Sequence, residues 1–154
     1  MLHRCSFQSA DNHETMSLEE LPVSQNLLCF LYHSQIAPDA PVSCVADIVK
    51  TARSFNQQHD ITGMLIFDGM RFAQYIEGPE QAMEGLIARI TEDPRHCQVV
   101  PMLHAQLQGV RRFARWSMAY AFVDEQEPVD ELAALPAQAA LQHFVQMQPM
   151  LDIA

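Results

Sequence analysis

Basic residues are scarce in this chain of 154 residues, where nine Lys and Arg stand against 19 Asp and Glu and give a formal net charge of −10. The acidity lies in the flanks: −3 in residues 1–26, −6 in residues 124–154 and only −1 in residues 27–123. General binding to nucleic acid or to an anionic membrane needs a basic surface. The sequence therefore predicts neither of these partners.

Glycine is scarce as well, and none of the five glycines belongs to a GxGxxG or P-loop motif. This argues against the common phosphate-binding loops. The chain also lacks a GxSxG elbow, a CxxC pair and the HxxxH or HExxH spacings. Nothing in the sequence therefore indicates a nucleophilic triad, a dithiol centre or a metal site.

Long hydrophobic runs are missing, since no stretch approaches the roughly 20 apolar residues of a membrane span. The first residues, Met1-Leu2-His3-Arg4, lead into polar sequence rather than a hydrophobic signal region. The four cysteines are scattered, a usage typical of a reducing compartment. We therefore expect a cytoplasmic protein.

The organisation of the chain is one folded domain with two appendages. Residues 1–26 are polar and predict a flexible arm, with a short helix around 17–21. Residues 27–123 carry the regular pattern of strands and helices. Residues 124–154 predict two short helices separated at Pro136, which either cover the open face of the sheet or mediate oligomerisation.

The central pattern alternates strands and helices. Ser43 is predicted to cap the first helix, and Asp68-Gly69 is predicted to form a two-residue hairpin turn. The order is that of a ferredoxin-like βαββαβ fold with an added fifth strand, an α+β class with both helices on one face of an antiparallel sheet. The predicted elements are strand 27–33, helix 44–58, strands 60–67 and 70–77, a helix from Glu80 to Asp93, and strands 98–106 and 113–122.

Polar side chains recur on the apolar faces of these elements. Strand alternation places Gln74 beside Phe72 and Ile76, and Tyr32 beside Phe30. Asn56 continues the apolar stripe of the first helix. Trp116 and Met118 are predicted to share a face with Tyr120. A buried amide or phenol must find hydrogen-bond partners, either in a polar ligand or simply in its neighbours and the backbone.

The chemistry of these residues suits a planar ring. Two amides can donate to and accept from a heterocycle with adjacent carbonyl and N–H groups, and a phenol within reach of such a ring is an oxidisable electron donor. The predicted flat walls are Ile48, Ile66 and Ile76.

Six segments, in this order and spacing, resemble the BLUF family of blue-light sensors using FAD, in a short single-domain form. The resemblance covers residues 27–122. The segments are Phe30-Leu31-Tyr32-His33-Ser34, Ala52-Arg53-Ser54-Phe55-Asn56, Ile61-Thr62-Gly63-Met64-Leu65, Phe72-Ala73-Gln74-Tyr75-Ile76-Glu77-Gly78, Asp93-Pro94-Arg95-His96 and Trp116-Ser117-Met118.

The resemblance implies a flavin ring between the two helices and the sheet. Tyr32 is then the photo-oxidised donor, Gln74 bridges Tyr32 and the flavin, and Asn56 binds the carbonyl edge of the ring. Arg95 and His96 lie near the ring or the ribityl chain, with Arg53 as a further candidate. Trp116 and Met118 report the state of Gln74. Phe55 departs from the family, several of whose members have a polar residue there.

The implied function is a blue-light photoreceptor in which electron and proton transfer from Tyr32 to the flavin, followed by the return of both, leaves Gln74 rotated or tautomerised. Because the flavin is not consumed, the resemblance implies a sensor and not an enzyme. The tail after residue 123 is too short for a cyclase or phosphodiesterase, so we expect a separate protein effector, a homo-oligomer, and a relay through the two C-terminal helices. The alternative is a ferredoxin-like domain that binds another planar ligand or acts as a small hydrolase. No phosphate motif distinguishes FAD from FMN.

Overall fold

The computed structural model describes residues 25–151 and 153–154, so nearly all of the predicted N-terminal arm, including the helix at 17–21, lies outside the described residues. The described chain forms five strands, four α-helices and a short 3₁₀ turn at Gln148–Met150. These elements are β1 Leu27–Ile36, α1 Cys44–Gln58, β2 Thr62–Phe67, β3 Arg71–Pro79, α2 Glu80–Glu92, β4 His96–Gln106, β5 Ala119–Phe122, α3 Glu127–Ala133 and α4 Ala137–Met147.

The five strands form one sheet in the order β4-β1-β3-β2-β5. The first four strands pair antiparallel, as the ferredoxin-like pattern predicts. Strand β5 adds to the outer edge of β2 in the parallel direction, so the sheet is mixed rather than wholly antiparallel. The α+β class and the added fifth strand are confirmed.

The hairpin between β2 and β3 turns one residue later than predicted. The N–H of Asp68 donates to the carbonyl oxygen of Arg71 at 3.1 Å, which leaves Gly69 and Met70 at the tip. Gly69 takes φ +93°, a conformation that glycine adopts without strain. The Asp68 carboxylate accepts the N–H groups of Met70 and Arg71 at 2.9 and 2.6 Å, so Asp68 supports the turn from its base.

Two predicted element starts are also corrected. Ser43 precedes α1, but its backbone is already helical and its side chain makes no capping hydrogen bond. The N–H of Cys44 instead donates to Pro41 at 2.9 Å, so a turn begins this helix. Strand β2 begins at Thr62 because Asp60 has φ +55°, in the left-handed region that a strand cannot use.

Each face of the sheet carries its own apolar cluster. Helices α1 and α2 pack Val45, Val49 and Met83 on one face, whereas α3 and α4 pack residues such as Leu132 and Phe144 on the other. The predicted pair of C-terminal helices is present, with Pro136 immediately before α4. Both helices pack on the face of the sheet opposite α1 and α2.

Strand β5 is much shorter than the predicted strand 113–122, because residues 113–118, hereafter the β5 approach, are irregular. Met118 and Tyr120 pack on the α1/α2 side as predicted. Trp116 packs on the α3/α4 side instead, so the expectation that all three share a face is wrong for Trp116. Strand alternation does not apply to a segment that is not a strand.

Hydrogen bonds explain why the β5 approach leaves the sheet. Three consecutive carbonyl oxygens, those of Trp116, Ser117 and Met118, accept from Gly63 N–H at 3.1 Å, Asn56 Nδ2 at 2.7 Å and Arg53 Nε at 3.0 Å, respectively. Two of these donors are side chains of α1. These three carbonyl oxygens are therefore satisfied without a strand ladder.

Candidate functional site

A cavity lies between α1, α2 and the sheet, with about 830 Å³ of empty space, its open mouth included. This is a usual size for a small-molecule site. Its walls are mainly apolar, with a few polar groups. The lining residues are Tyr32, Ile48, Thr51, Ala52, Phe55, Asn56, Leu65, Phe72, Gln74, Leu86, Arg89, Ile90, Asp93, Arg95 and His96.

Tyr32 and Gln74 are direct cross-strand partners on β1 and β3. The Tyr32 hydroxyl donates to Gln74 Oε1 at 2.5 Å, and Gln74 Nε2 reaches Met118 Sδ at 3.5 Å. Both residues are buried. Burial and, to a lesser degree, the charge of Asp93 raise the pKa of Tyr32 well above its ordinary value. The phenol is therefore a protonated donor at neutral pH.

Asn56 is fully buried on α1 and divides its amide between the protein and the cavity. Its Nδ2 donates to the carbonyl oxygen of Ser117 at 2.7 Å. Its Oδ1 is buried and has no partner within the described residues. An unsatisfied buried acceptor is costly. A ligand N–H beside Asn56 would remove that cost.

Charged and aromatic groups surround the cavity after α2. Arg95 Nη2 pairs with Asp93 Oδ2 at 2.7 Å, and this pairing with Arg95 lowers the pKa of Asp93. His96 bonds Ser34 Oγ through Nδ1 at 2.9 Å and the Ile90 carbonyl oxygen through Nε2. Because both of its nitrogens are engaged, His96 presents its ring, packed edge-on against Tyr32, to the site.

Six of the nine residues predicted to bind a cofactor line this one cavity, and three do not. Arg53 extends away from it to the carbonyl oxygens of Met118 and Ala154. Ile66 packs on the α3/α4 face of the sheet, so its predicted place in the wall is wrong. Ile76 is buried on the correct face, but it packs within the cluster and does not line the cavity.

Several lining residues were not predicted from the sequence. Leu65 is the cross-strand partner of Gln74 and therefore shares its face. Any hairpin with a two-residue tip after β2 pairs odd-numbered residues of β2 with even-numbered residues of β3. Because paired residues share a face, the sequence alone could have placed Leu65 on the same face as Gln74. Phe55 forms an apolar wall and carries the Arg89 guanidinium 4.8 Å from the centre of its ring.

Within the described residues, no His, Cys, Asp and Glu cluster could hold a metal ion, and no helix has the length and apolar character needed to cross a membrane. The polar groups of the cavity include Tyr32, Asn56, Gln74 and the charged groups near Arg95. This set can hold an uncharged planar ring by its edges and an anionic extension at the solvent side.

The sequence of this chain is similar to those of known light-regulated proteins. The chain is 37% identical over 92 residues to the blue light- and temperature-regulated antirepressor BluF of Escherichia coli, a match covering 60% of this chain and 23% of BluF. It is 39% identical over 74 residues to the photoactivated adenylate cyclase subunit beta of Euglena longa, covering 48% and 9% of the two chains. The chain thus spans less than a quarter of these curated relatives.

Solved structures agree on the fold. The dark-state structure of BlrB, a BLUF protein, superposes with a TM-score of 0.69 at 29% identity and covers 79% of this chain and 94% of BlrB. Klebsiella pneumoniae BlrP1 with FMN and cyclic diGMP gives a TM-score of 0.58 at 33% identity, covering 78% and 30%. The family model for sensors of blue light using FAD matches residues 27–119. The chain belongs to the BLUF family of blue-light sensors that use FAD.

Proposed function

We propose that this chain senses blue light through the Tyr32–Gln74 pair and passes the signal to a separate protein through the β5 approach. The observation that carries the proposal is one chain of contacts: Tyr32 donates to Gln74, and Gln74 contacts Met118. Met118 belongs to a segment that also packs, through Trp116, on the α3/α4 side of the sheet. The buried amide of Gln74 therefore connects the cavity, through the β5 approach, with the opposite face of the sheet.

The cavity suits the flavin that the family uses. Asn56 Oδ1 is a buried acceptor that finds no partner in the described part of the chain, and Gln74 adds a second amide at the same wall. Ile48 and Leu65 would hold the ring, and Arg95 would bind toward the phosphate end. When bound, the flavin supplies absorption of blue light and an acceptor for one electron from Tyr32.

The residues of this chain perform the rest of the response. In the dark, the Tyr32 hydroxyl fixes the Gln74 amide by donating to Oε1. As Tyr32 loses an electron, its proton is free to leave Oη for Gln74 Oε1, and the amide loses the donor that oriented it. Gln74 then rotates or tautomerises and exchanges its contact with Met118. Return of the electron and proton to Tyr32 leaves no net reaction, which makes the chain a sensor and not an enzyme.

The output is proposed to be a protein–protein interaction in the cytoplasm, by a homo-oligomer acting on a separate effector. For the effector, the support comes from the relatives, whose names join blue light to an antirepressor and photoactivation to an adenylate cyclase. The free thiols of Cys29, Cys44 and Cys97 fit a reducing compartment. Helices α3 and α4, which contact the same cluster as Trp116, are the proposed relay.

Absorption spectra of the purified protein, taken in darkness and directly after blue illumination, test the proposal. We expect a flavin spectrum that shifts slightly to the red and recovers in the dark. Parallel loading with FAD and with FMN identifies the flavin that this cavity prefers. A protein that stays colourless after FAD is added would contradict the proposal and leave the other planar ligand or the hydrolase.

A further inference from the structure

Glu77 is a fully buried carboxylate on β3, on the sheet face opposite the cavity. Its Oε1 accepts from the backbone N–H of Phe113 at 2.8 Å and from Thr62 Oγ1 at 3.4 Å. Its Oε2 accepts from the Tyr75 hydroxyl at 2.9 Å. A buried carboxylate is costly unless donors surround it. Three donors from three segments meet this one.

Strand β3 therefore holds the β5 approach at both ends and from both faces. Gln74 contacts Met118 at the far end, on the cavity side. Glu77 holds Phe113 at the near end, on the α3/α4 side. The three carbonyl contacts between these ends come from α1 and β2.

Phe113 connects this anchor with the C-terminal helices. Its ring is fully buried, 6.2 Å from the centre of Trp116 and 6.0 Å from that of Phe144 on α4. It also lies 5.5 Å from the ring of Tyr75. A change in the position of Phe113 would therefore displace Trp116 and α4 together, since close-packed side chains leave little free space.

We propose that Glu77 is a positioning residue of the light response, which keeps the β5 approach in register with β3 by holding the N–H of Phe113. With this anchor in place, a movement of Met118 has to shift Trp116 against α4. Without this anchor, Phe113 can shift as Met118 moves, and the movement does not reach Trp116 and α4. This inference rests on the proposed light response of Gln74, and it assigns Glu77 a role on the opposite face of the same strand.

The sequence offers a direct reporter, because Trp116 is the only tryptophan. The test compares the light-induced change in Trp116 emission with the light-induced flavin shift in the same sample. Glu77→Met keeps a side chain of similar length but removes the acceptor for Phe113. We expect it to keep the flavin shift, since it contacts none of Tyr32, Asn56 and Gln74. The Trp116 response should fall at least about fivefold, as for the loss of one hydrogen bond.

Two matched variants separate positioning from general stability. Glu77→Gln retains Oε1 as an acceptor for Phe113 N–H and should rescue the Trp116 response. Tyr75→Phe removes one donor to Glu77 but leaves the Phe113 contact, and it should behave like the unmodified protein. A folded Glu77→Met variant with a full Trp116 response would overturn the proposal. A Trp116 emission that does not change on illumination of the unmodified protein would overturn it as well.

Amide exchange in the unmodified protein decides the question if Glu77→Met does not fold. The Phe113 N–H should be protected in the dark, whereas exchange as fast as that of the loop residue Gly109 would overturn the anchor. Failure of the proposed function would give a different result, because the flavin shift itself would then be missing from the unmodified protein.

Discussion

Tyr32 and Gln74 face each other across β1 and β3, and the phenol donates to the amide oxygen at 2.5 Å. The register of the two strands, rather than a flexible loop, sets this contact. Each residue is held by a ladder of backbone hydrogen bonds on a sheet with tightly packed faces. The pair that we propose to respond to light is therefore preorganised, and its two side chains carry most of the freedom to change.

The first prediction concerns Gln74→Leu. Leucine fills a similar volume but can neither accept from Tyr32 nor donate to Met118. We expect the variant to bind flavin and lose the light-induced red shift, measured as the difference between illuminated and dark spectra. Gln81→Leu, at an exposed position of α2, is the control and should shift normally. A normal light-induced red shift in Gln74→Leu would contradict the proposed mechanism.

The second prediction separates Arg95 from Arg53. Arg95 lines the cavity with a side chain 37% exposed, so it can reach the anionic end of FAD. Arg95→Ala should raise the Kd for FAD roughly 10- to 100-fold, as for the loss of a charged hydrogen bond. Arg53→Ala should leave the Kd within about twofold, since small surface effects stay below 0.5 kcal/mol.

Arg53 has a different expected effect. It joins the carbonyl oxygens of Met118 and Ala154, next to the backbone pair between Tyr120 and Ala154. Arg53→Ala should therefore speed hydrogen exchange of the Tyr120 and Ala154 amides. Equal losses of FAD affinity in the Arg53 and Arg95 variants, measured by titration, would contradict both placements.

The third prediction uses two neighbours on opposite faces of β2. Leu65 lines the cavity, whereas Ile66 packs against the α3/α4 side. Ile66→Ala should lower the free energy of unfolding by about 2–5 kcal/mol without changing the flavin spectrum. Leu65→Ala should weaken FAD binding about tenfold through lost apolar contact. Urea unfolding and FAD titration on both variants check the pair, and the reverse pattern would overturn the assignment of faces.

The fourth prediction concerns alkaline pH. Burial raises the pKa of Tyr32 and Tyr75 above the ordinary value of a phenol. The folded protein therefore keeps protons that the unfolded chain loses above about pH 10. The resulting stabilisation is complete below that pH and is lost as the pH rises through the folded-state pKa. Each buried phenol should lower the free energy of unfolding by up to about 1.4 kcal/mol per pH unit.

Denaturant unfolding from pH 9 to 11 measures this slope. Tyr32→Phe should flatten it, because the variant has one buried phenol fewer. The partly exposed Tyr120, whose pKa burial also raises, provides the control, and Tyr120→Phe should change the slope less. An identical slope in Tyr32→Phe and the unmodified protein would show that Tyr32 ionises as easily in the folded state as in the unfolded one.

Strand and helix periodicity was sufficient to predict that Tyr32, Asn56 and Gln74 are buried polar groups, whereas their meeting at one flavin site was implied by the family resemblance. These residues lie in long regular elements, where spacing determines the face. The prediction for Ile66 was wrong because it did not use the pairing of β2 with β3. A two-residue tip pairs even residues of β2 with odd residues of β3, so Ile66 lies on the face opposite Gln74, whereas Leu65 pairs with Gln74 and shares its face.

Trp116 could not be predicted in the same way. The β5 approach follows contacts with residues distant in sequence: Glu77 at Phe113, Gly63 at Trp116 and Asn56 at Ser117. No local pattern encodes such partners. The burial of Glu77 could not be predicted for the same reason, because an acid beside Gly78 at the end of a strand has the pattern of an ordinary surface residue.

The two-sided construction of the sheet sets a rule for engineering. Leu31, Ile66 and Tyr75 point away from the cavity, and α3 and α4 are what shields them from water. A fusion that attaches a new output module directly after Phe122 removes that shield and exposes a continuous apolar surface, which invites aggregation. A working chimera must therefore bring its own amphipathic cover, or keep residues 124–154 and attach its module beyond them.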